Sequence, residues 1–312
     1  MPSLGADDPV MAWLLESTQP AMRYLASRDL LEPRPGTRVL ATLQARVAET
    51  GWAAEILSRQ QEGTWWGRKD TCYWPRQIGT IWSLQVLGDL GLTREDDRIA
   101  NAAEHWFRLH LGEDGGYAPR GRGSPSHLCT TGNMARTLIR LGYERDERVQ
   151  SALRWLVDAQ LEGGGWDCHS PPESTLDGWE PMSAFAALAP ARLSSDMREA
   201  VRRGGEFYLN HRLLHEGEPY PRWFRLHYPW HYWYDVLVGL DFMAALGFGR
   251  EPRMQEALKL LRSKRGPEGR WALEGTNGKL RIEAPGRPSK MITFLALRVL
   301  KRIRQPFPSA LR

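Results

Sequence analysis

Apolar and polar positions along this 312-residue chain fall into two alternating kinds of segment. The first kind is amphipathic: "DDRIANAAEHWFRLHL", "DERVQSALRWLVDAQ", "SDMREAVRRGGEFYLNHRLL" and "EPRMQEALKLLRSK". Within them Ile99-x-x-Ala102, Val149-x-x-Ala152, Met197-x-x-Ala200 and Met254-x-x-Ala257 hold equivalent places, with apolar residues at helical spacing and charges between. This pattern predicts helices with one wet face. The second kind is apolar nearly all round: "IGTIWSLQVLGDLG", "TGNMARTLIRLGY", "PMSAFAALAPA", "WYDVLVGLDFMAALGFG" and "SKMITFLALRVLKRI". Helices with so little polar surface belong inside. The N-terminal pieces "DPVMAWLLES", "QPAMRYLASRDLL" and "TRVLATLQARVAETGWAAEILSRQ" supply the earlier helices.

Each amphipathic segment is joined to the apolar one after it by a glycine-aromatic turn: "EGTWWG", "EDGGYAP", "EGGGWDC" and "EGRWALEG", with "PYPRWF" filling the gap. Their aromatic residues, Trp66, Tyr117, Trp166, Trp223 and Trp271, recur roughly every fifty residues. A repeat is therefore an outer helix, a turn, a loop and an inner helix. Stacked hairpins of this kind form either an open solenoid or a closed ring, and apolar inner helices favour closure into a two-layer helical barrel. The expected fold is all-α, one domain over residues 1–312 built from five to six helical hairpins. The proline-rich places "EPRPG" and "SPPEST" read as short connections within that domain.

Composition narrows the function classes. The chain holds 42 Lys and Arg against 37 Asp and Glu, a net +5 without a long block of one sign, so no nucleic-acid partner is expected. Three cysteines make no disulfide framework, and "MPSLGADDPV" lacks a basic region followed by an apolar run, which leads to the expectation of a reducing cytoplasm. The longest apolar stretch, Val236 to Gly249, is interrupted by Asp241, so no transmembrane segment is expected. The 14 tryptophans are the outlier, and indoles serve as large rigid apolar walls.

The densest candidate chemistry is "GRKDTCYW", which sets Arg68, Lys69, Asp70, Cys72 and Tyr73 side by side. A thiolate near a carboxylate is a metal-ligand pattern, and the cations suit an anion. The same letters also describe a solvated turn leading into a helix, with a small semi-buried cysteine. If all inner helices run one way, their N-terminal ends gather at one mouth. The loops there bring Cys72, Cys129 and Cys168, together with His127, His169, His227 and His231, to a single rim. Helix N-termini favour an anion at that mouth, where Arg76, Arg120 and Arg122 also lie. Tyr73, Trp74, Trp82, Trp179, Tyr228, Trp230 and Tyr232, with Trp233 and Tyr234, are the candidate pocket wall.

The turns resemble the QW-type repeats of terpene cyclases, with Gln60, Gly63 and Trp65 in one and Gln160, Gly163 and Trp166 in another; His110 and Lys264 stand near the matching place elsewhere. The whole chain is similar to the prenyltransferase and squalene-cyclase repeat proteins, and to stand-alone bacterial proteins of this single-domain size. The resemblance implies an α/α toroid around an apolar central cavity. "GRKDTCYW" is similar to the motif of protein prenyltransferase β subunits, which implies Asp70, Cys72 and His127 as ligands of a zinc ion (Zn2+) and Arg68, Lys69 and Tyr73 as residues facing a diphosphate. Cys129 and Cys168 on the same rim are further candidate ligands. The cations stand closer to the aspartate than in that family, and the motif falls in an early repeat.

The expected ligand is thus an apolar or isoprenoid small molecule bearing a diphosphate, handled by zinc-dependent transfer. The alternative is a metal-free cyclase-like enzyme, for which Asp235 is the candidate proton donor because no D-x-D-D sequence occurs. A third reading is a non-catalytic lipid-binding scaffold. A hydrolase built from Cys168 and His169 is disfavoured, since adjacent residues of one loop are poorly placed as nucleophile and base.

Overall fold

The computed structural model describes residues 7–32, 34–167, 175–217, 220–276 and 278–304, and these form an α/α toroid. Its thirteen described α-helices fall into two layers. The inner layer is α2 (Pro20–Asp29), α5 (Thr80–Asp89), α7 (Leu128–Leu138), α9 (Glu180–Phe185), α11 (Val236–Ala245) and α13 (Lys290–Arg302). Every residue of α7 and α9 is buried, as the all-round apolar sequences require. Outside run α4 (Gly51–Leu57), α6 (Asp97–His110), α8 (Glu147–Asp158), α10 (Ser195–Asn210) and α12 (Gln255–Ser263), each burying one face. The helix α1 (Pro9–Leu14) precedes α2, and α3 (Thr37–Ala45) follows it. The segment "TRVLATLQARVAETGWAAEILSRQ" forms two helices, α3 and α4, divided before Gly51, which takes a φ of +72°.

The inner helices pack in sequence from α5 through α7, α9, α11 and α13, and α13 returns to α2. Ion pairs seal that joint: Lys290 Nζ meets Glu16 at 2.7 Å and Lys301 Nζ meets Glu32 at 3.1 Å. Chain ends distant in sequence are therefore neighbours, and the superhelix is closed.

The glycine-aromatic turns are a repeated joint with one set of bonds. The indole of Trp66 donates to Ile56 O (2.7 Å), that of Trp166 to Leu156 O (2.8 Å) and that of Trp271 to Leu261 O (2.7 Å). In each case the acceptor is a carbonyl in the last turn of the preceding outer helix. The backbone N–H of Trp66, Tyr117 and Trp271 in turn donates to Thr80, Thr131 and Thr293 on the following inner helix, at 3.1, 2.9 and 3.0 Å. The glutamines of the QW-like turns reach the next outer helix, Gln60 bonding Arg98 O (3.0 Å) and Gln160 bonding Ala200 O (2.8 Å). Where histidine replaces glutamine, His110 Nε2 instead accepts from Cys72 N (3.0 Å) in the preceding repeat.

The centre of the ring is filled by the segment "LHYPWHYWYD", residues 226–235. Its backbone carbonyls are held by inner-helix side chains: Asn133 donates to His231 O, Arg136 to Trp230 O (3.1 Å), and the Trp179 indole to Tyr232 O (3.3 Å). His231, 0% exposed, bonds Gln85 Oε1 through Nδ1 at 2.9 Å. This plug corrects the expectation of an open apolar hollow on the axis, and among the described residues a cavity lies on either side of it.

Candidate functional site

The larger cavity, of about 720 Å3, opens at the mouth where the inner helices begin. Its walls come from the loops before α5, α7, α9 and α11, so the expectation that these loops gather at one rim holds. Aromatic side chains dominate: Tyr73, Trp74, Tyr220, Tyr232, Trp233 and Tyr234. The hydroxyls of Tyr232 and Tyr73 hydrogen-bond at 3.0 Å, tying the plug to the loop before α5. Trp74 (48% exposed) and Tyr220 (46%) are two of the three exposed large hydrophobic residues among those described, and both stand at this rim. Exposed aromatics concentrated at a concave place mark a binding surface.

Three arginines line the same cavity, and none makes an ion pair among the described residues. The Arg222 guanidinium lies 4.1 Å from the ring centre of Trp233, while Arg76 sits over Tyr73 and Trp74 at 5.7 and 5.5 Å. Arg120 comes from the loop before α7. Two carboxylates face this set. Asp177 accepts from the Trp223 indole at 3.2 Å. Glu180, 1% exposed, is the first residue of α9. The cavity thus pairs an aromatic wall with a small excess of positive charge, the chemistry of an apolar ligand with an anionic end.

The metal set implied by "GRKDTCYW" does not assemble. Asp70 points to solvent, 67% exposed, in a bidentate pair with Arg68 at 2.9 and 2.6 Å. Lys69 is likewise exposed, 3.4 Å from Glu62 and over the Trp65 ring, so Arg68 and Lys69 lie outside the cavity. The Cys72 thiol is buried beside Thr80 outside the cavity lining, and burial pushes its pKa up to about 12. His127 and Cys129 do line the cavity, with Nδ1 and Sγ 3.2 Å apart. Among the described residues, no group of three His, Cys, Asp or Glu side chains is placed to hold a metal ion. Cys168 and His169 lie outside the described residues. Asp70, Cys72 and His127 therefore do not fit a shared zinc ion.

The remaining sequence candidates divide. Tyr73, Trp74 and Tyr232 face the cavity. Trp82 stands behind it, wholly buried, donating to Tyr73 O at 2.9 Å and meeting His231 and Tyr232 edge-on. Trp179 supports the plug, and Tyr228 and Trp230 line the opposite cavity. Asp235 is not in the cavity lining: its carboxylate caps α11 by accepting from Val238 N (2.9 Å) and also accepts from His227 N (2.8 Å) and Nδ1 (2.6 Å). Three donors engage it in holding the plug's two ends together, which corrects its assignment as a proton donor. Tyr220 and Arg222 were not singled out by the sequence. Their signal was the gap repeat, where "PYPRWF" stands in place of a glycine-rich turn.

No family model matches the chain, and no curated protein matches it. Among solved structures, the chain is similar to the type II terpene cyclase MstE from Scytonema in its apo form, with a TM-score of 0.47 and 15% identity over 92% of this chain and 87% of that one. A variant of that cyclase in complex with the substrate geranylgeranyl dihydroxybenzoate gives a TM-score of 0.47 and 16% identity over 92% and 86%. A protein from Actinoplanes gives 0.45 and 14% over 91% and 90%.

Proposed function

We propose that this chain binds an isoprenoid-class ligand, a branched apolar chain ending in an anionic head, in the mouth cavity. One observation carries the reading: the cavity joins six aromatic side chains to three arginines that make no ion pair among the described residues. Its volume of about 720 Å3 falls in the ~300–1,000 Å3 range of small-molecule sites. Burying the apolar chain against the rings contributes ~25 cal/mol per Å2, and the arginines fix the head at the rim. No step is assigned to a metal.

A second reading, cyclisation started by protonation, is favoured by Glu180, a carboxylate buried in the aromatic wall where an acid is needed. In that reading the aromatic faces stabilise developing positive charge.

Tryptophan fluorescence titrations with farnesyl diphosphate and with farnesol test the binding claim. Both are expected to saturate, the diphosphate more tightly. An Arg76→Gln, Arg222→Gln double variant should weaken the diphosphate by about ten- to a hundredfold, as for loss of charge-assisted hydrogen bonds, and leave farnesol unchanged. Failure of either wild-type ligand to saturate refutes the reading. Product analysis then separates catalysis from binding: a cyclised product lost in Glu180→Gln supports the second reading, and unchanged ligand contradicts it.

A further inference from the structure

The smaller cavity, of about 340 Å3, opens at the opposite mouth, where the inner helices end. Four arginines line it, Arg28, Arg140, Arg298 and Arg302, and a fifth, Arg136, is fully buried behind Ser183 and Trp230 of its wall. Three aspartates answer them. Asp29 takes a bidentate pair from Arg28 at 2.7 Å on both arms. Asp89 takes Arg140 and also accepts the Tyr228 hydroxyl at 3.2 Å. Asp241 takes Arg298 at 3.0 and 2.9 Å and must then share Oδ1 with Arg302 at 3.2 Å. Arg136 has no carboxylate partner, bonding only Ser183 Oγ (3.5 Å) and Trp230 O (3.1 Å), and its Nε is buried with no acceptor.

Five guanidiniums against three aspartates, with the buried Glu180 offsetting Arg136 only in part, leave an excess of positive charge around a polar space that opens at this mouth. Cations do offset the carbonyl ends of helices, by ~0.3–1 kcal/mol each. That is small against the several kcal/mol that burying Arg136 without a carboxylate hydrogen bond costs, while Arg302 and Arg140, 30% and 24% exposed, stay open to a ligand. We propose that this cavity is an oxyanion site, in which a phosphate group with two negative charges lodges against Arg302 and Arg140 and neutralises the excess. Each guanidinium carries five N–H donors, and those pointing away from the aspartates suit the oxygens of a tetrahedral anion. Burial first, then neighbouring Arg298, draws Arg302 down to about 10. The site is separate from the aromatic cavity and stands or falls independently of the ligand proposed there.

Isothermal titration with inorganic phosphate, at constant ionic strength set with chloride, tests it. Wild-type protein should show saturable binding. Arg302→Gln, which leaves Asp241 paired with Arg298, should weaken it about tenfold, the loss of one charge-assisted contact, whereas Arg302→Lys retains most of it. Arg154→Gln, an exposed change on α8 away from both cavities, should bind phosphate as wild type does. Absence of saturable heat in the wild type, or unchanged binding in Arg302→Gln, overturns the proposal. Should Arg302→Gln not fold, modification of the wild-type protein by phenylglyoxal decides: phosphate must protect Arg302, and equal modification with and without it refutes the site.

Discussion

At the scale of single residues, burial decides protonation, and protonation decides what each group does. His231 is drawn down to about 3 by burial first, then by its neighbour Arg136, so in the folded ring it stays neutral over ordinary pH. The unfolded chain binds that proton near pH 6.5, so the unfolded state gains protons first as pH falls. Stability is complete above about pH 6.5 and declines by up to a few kcal/mol toward pH 3. His110 and His105, also lowered by burial, act in the same direction. Melting temperature followed from pH 7 to pH 4 should fall steeply for wild type and less steeply for His231→Asn; parallel curves contradict the assignment. Cysteine alkylation at pH 8 should leave Cys72 untouched, because its thiol is held protonated. "GRKDTCYW" showed how composition misleads at this scale. Its letters match a metal site, but Asp70 finds Arg68 two residues away and turns to solvent, an orientation set by the loop's local path and invisible in residue order. Asp70→Asn should change stability by no more than about 0.5 kcal/mol, since exposed pairs contribute little.

At the scale of the elements, the chain was largely legible. The spacing of Trp66, Trp166 and Trp271 had a physical cause, the indole bond to the outer helix ten residues before each. Trp166→Phe keeps the apolar bulk but leaves the Leu156 carbonyl without its buried donor, so urea unfolding should show a loss of about 1–3 kcal/mol. A loss under 0.5 kcal/mol would mean the joint is held by packing alone. The close approach of α7 and α9 depends on Gly132, where an added Cβ meets Glu180 Cβ at 2.6 Å. Gly132→Ala should cost about 1–3 kcal/mol and displace Glu180 from the cavity wall. What the pattern did not disclose was the plug. "HYPWHYWYD" read as pocket-lining aromatics, and only Tyr232, Trp233 and Tyr234 line the mouth cavity. Its position is fixed by Asn133 and Arg136, which hold carbonyls of the loop, and by Gln85, which bonds the His231 ring, residues far away in sequence whose polar groups gave no sign of these partners.

At the scale of the whole molecule, closure turns distant segments into neighbours and creates both cavities. Asp241, which interrupts the longest apolar run, ties α11 to the last helix through Arg298 and Arg302, and Arg298 also reaches Asp29 of α2 at 3.8 Å across the closing joint. Arg298→Ala strips a buried carboxylate of its bidentate partner and should destabilise the ring by about 3–5 kcal/mol, read in urea unfolding. The toroid was legible because apolar inner helices leave a chain few ways to bury them, whereas the cavity's ligand set depends on loops that carry no periodicity. The central claim is that the mouth cavity takes an apolar chain by its aromatic wall and an anion by its arginines. Its most direct test is the fluorescence titration of wild type and the Arg76→Gln, Arg222→Gln variant with farnesyl diphosphate and farnesol: selective loss of the diphosphate in the variant is the predicted result, and equal affinities for the two ligands in wild type would contradict the account.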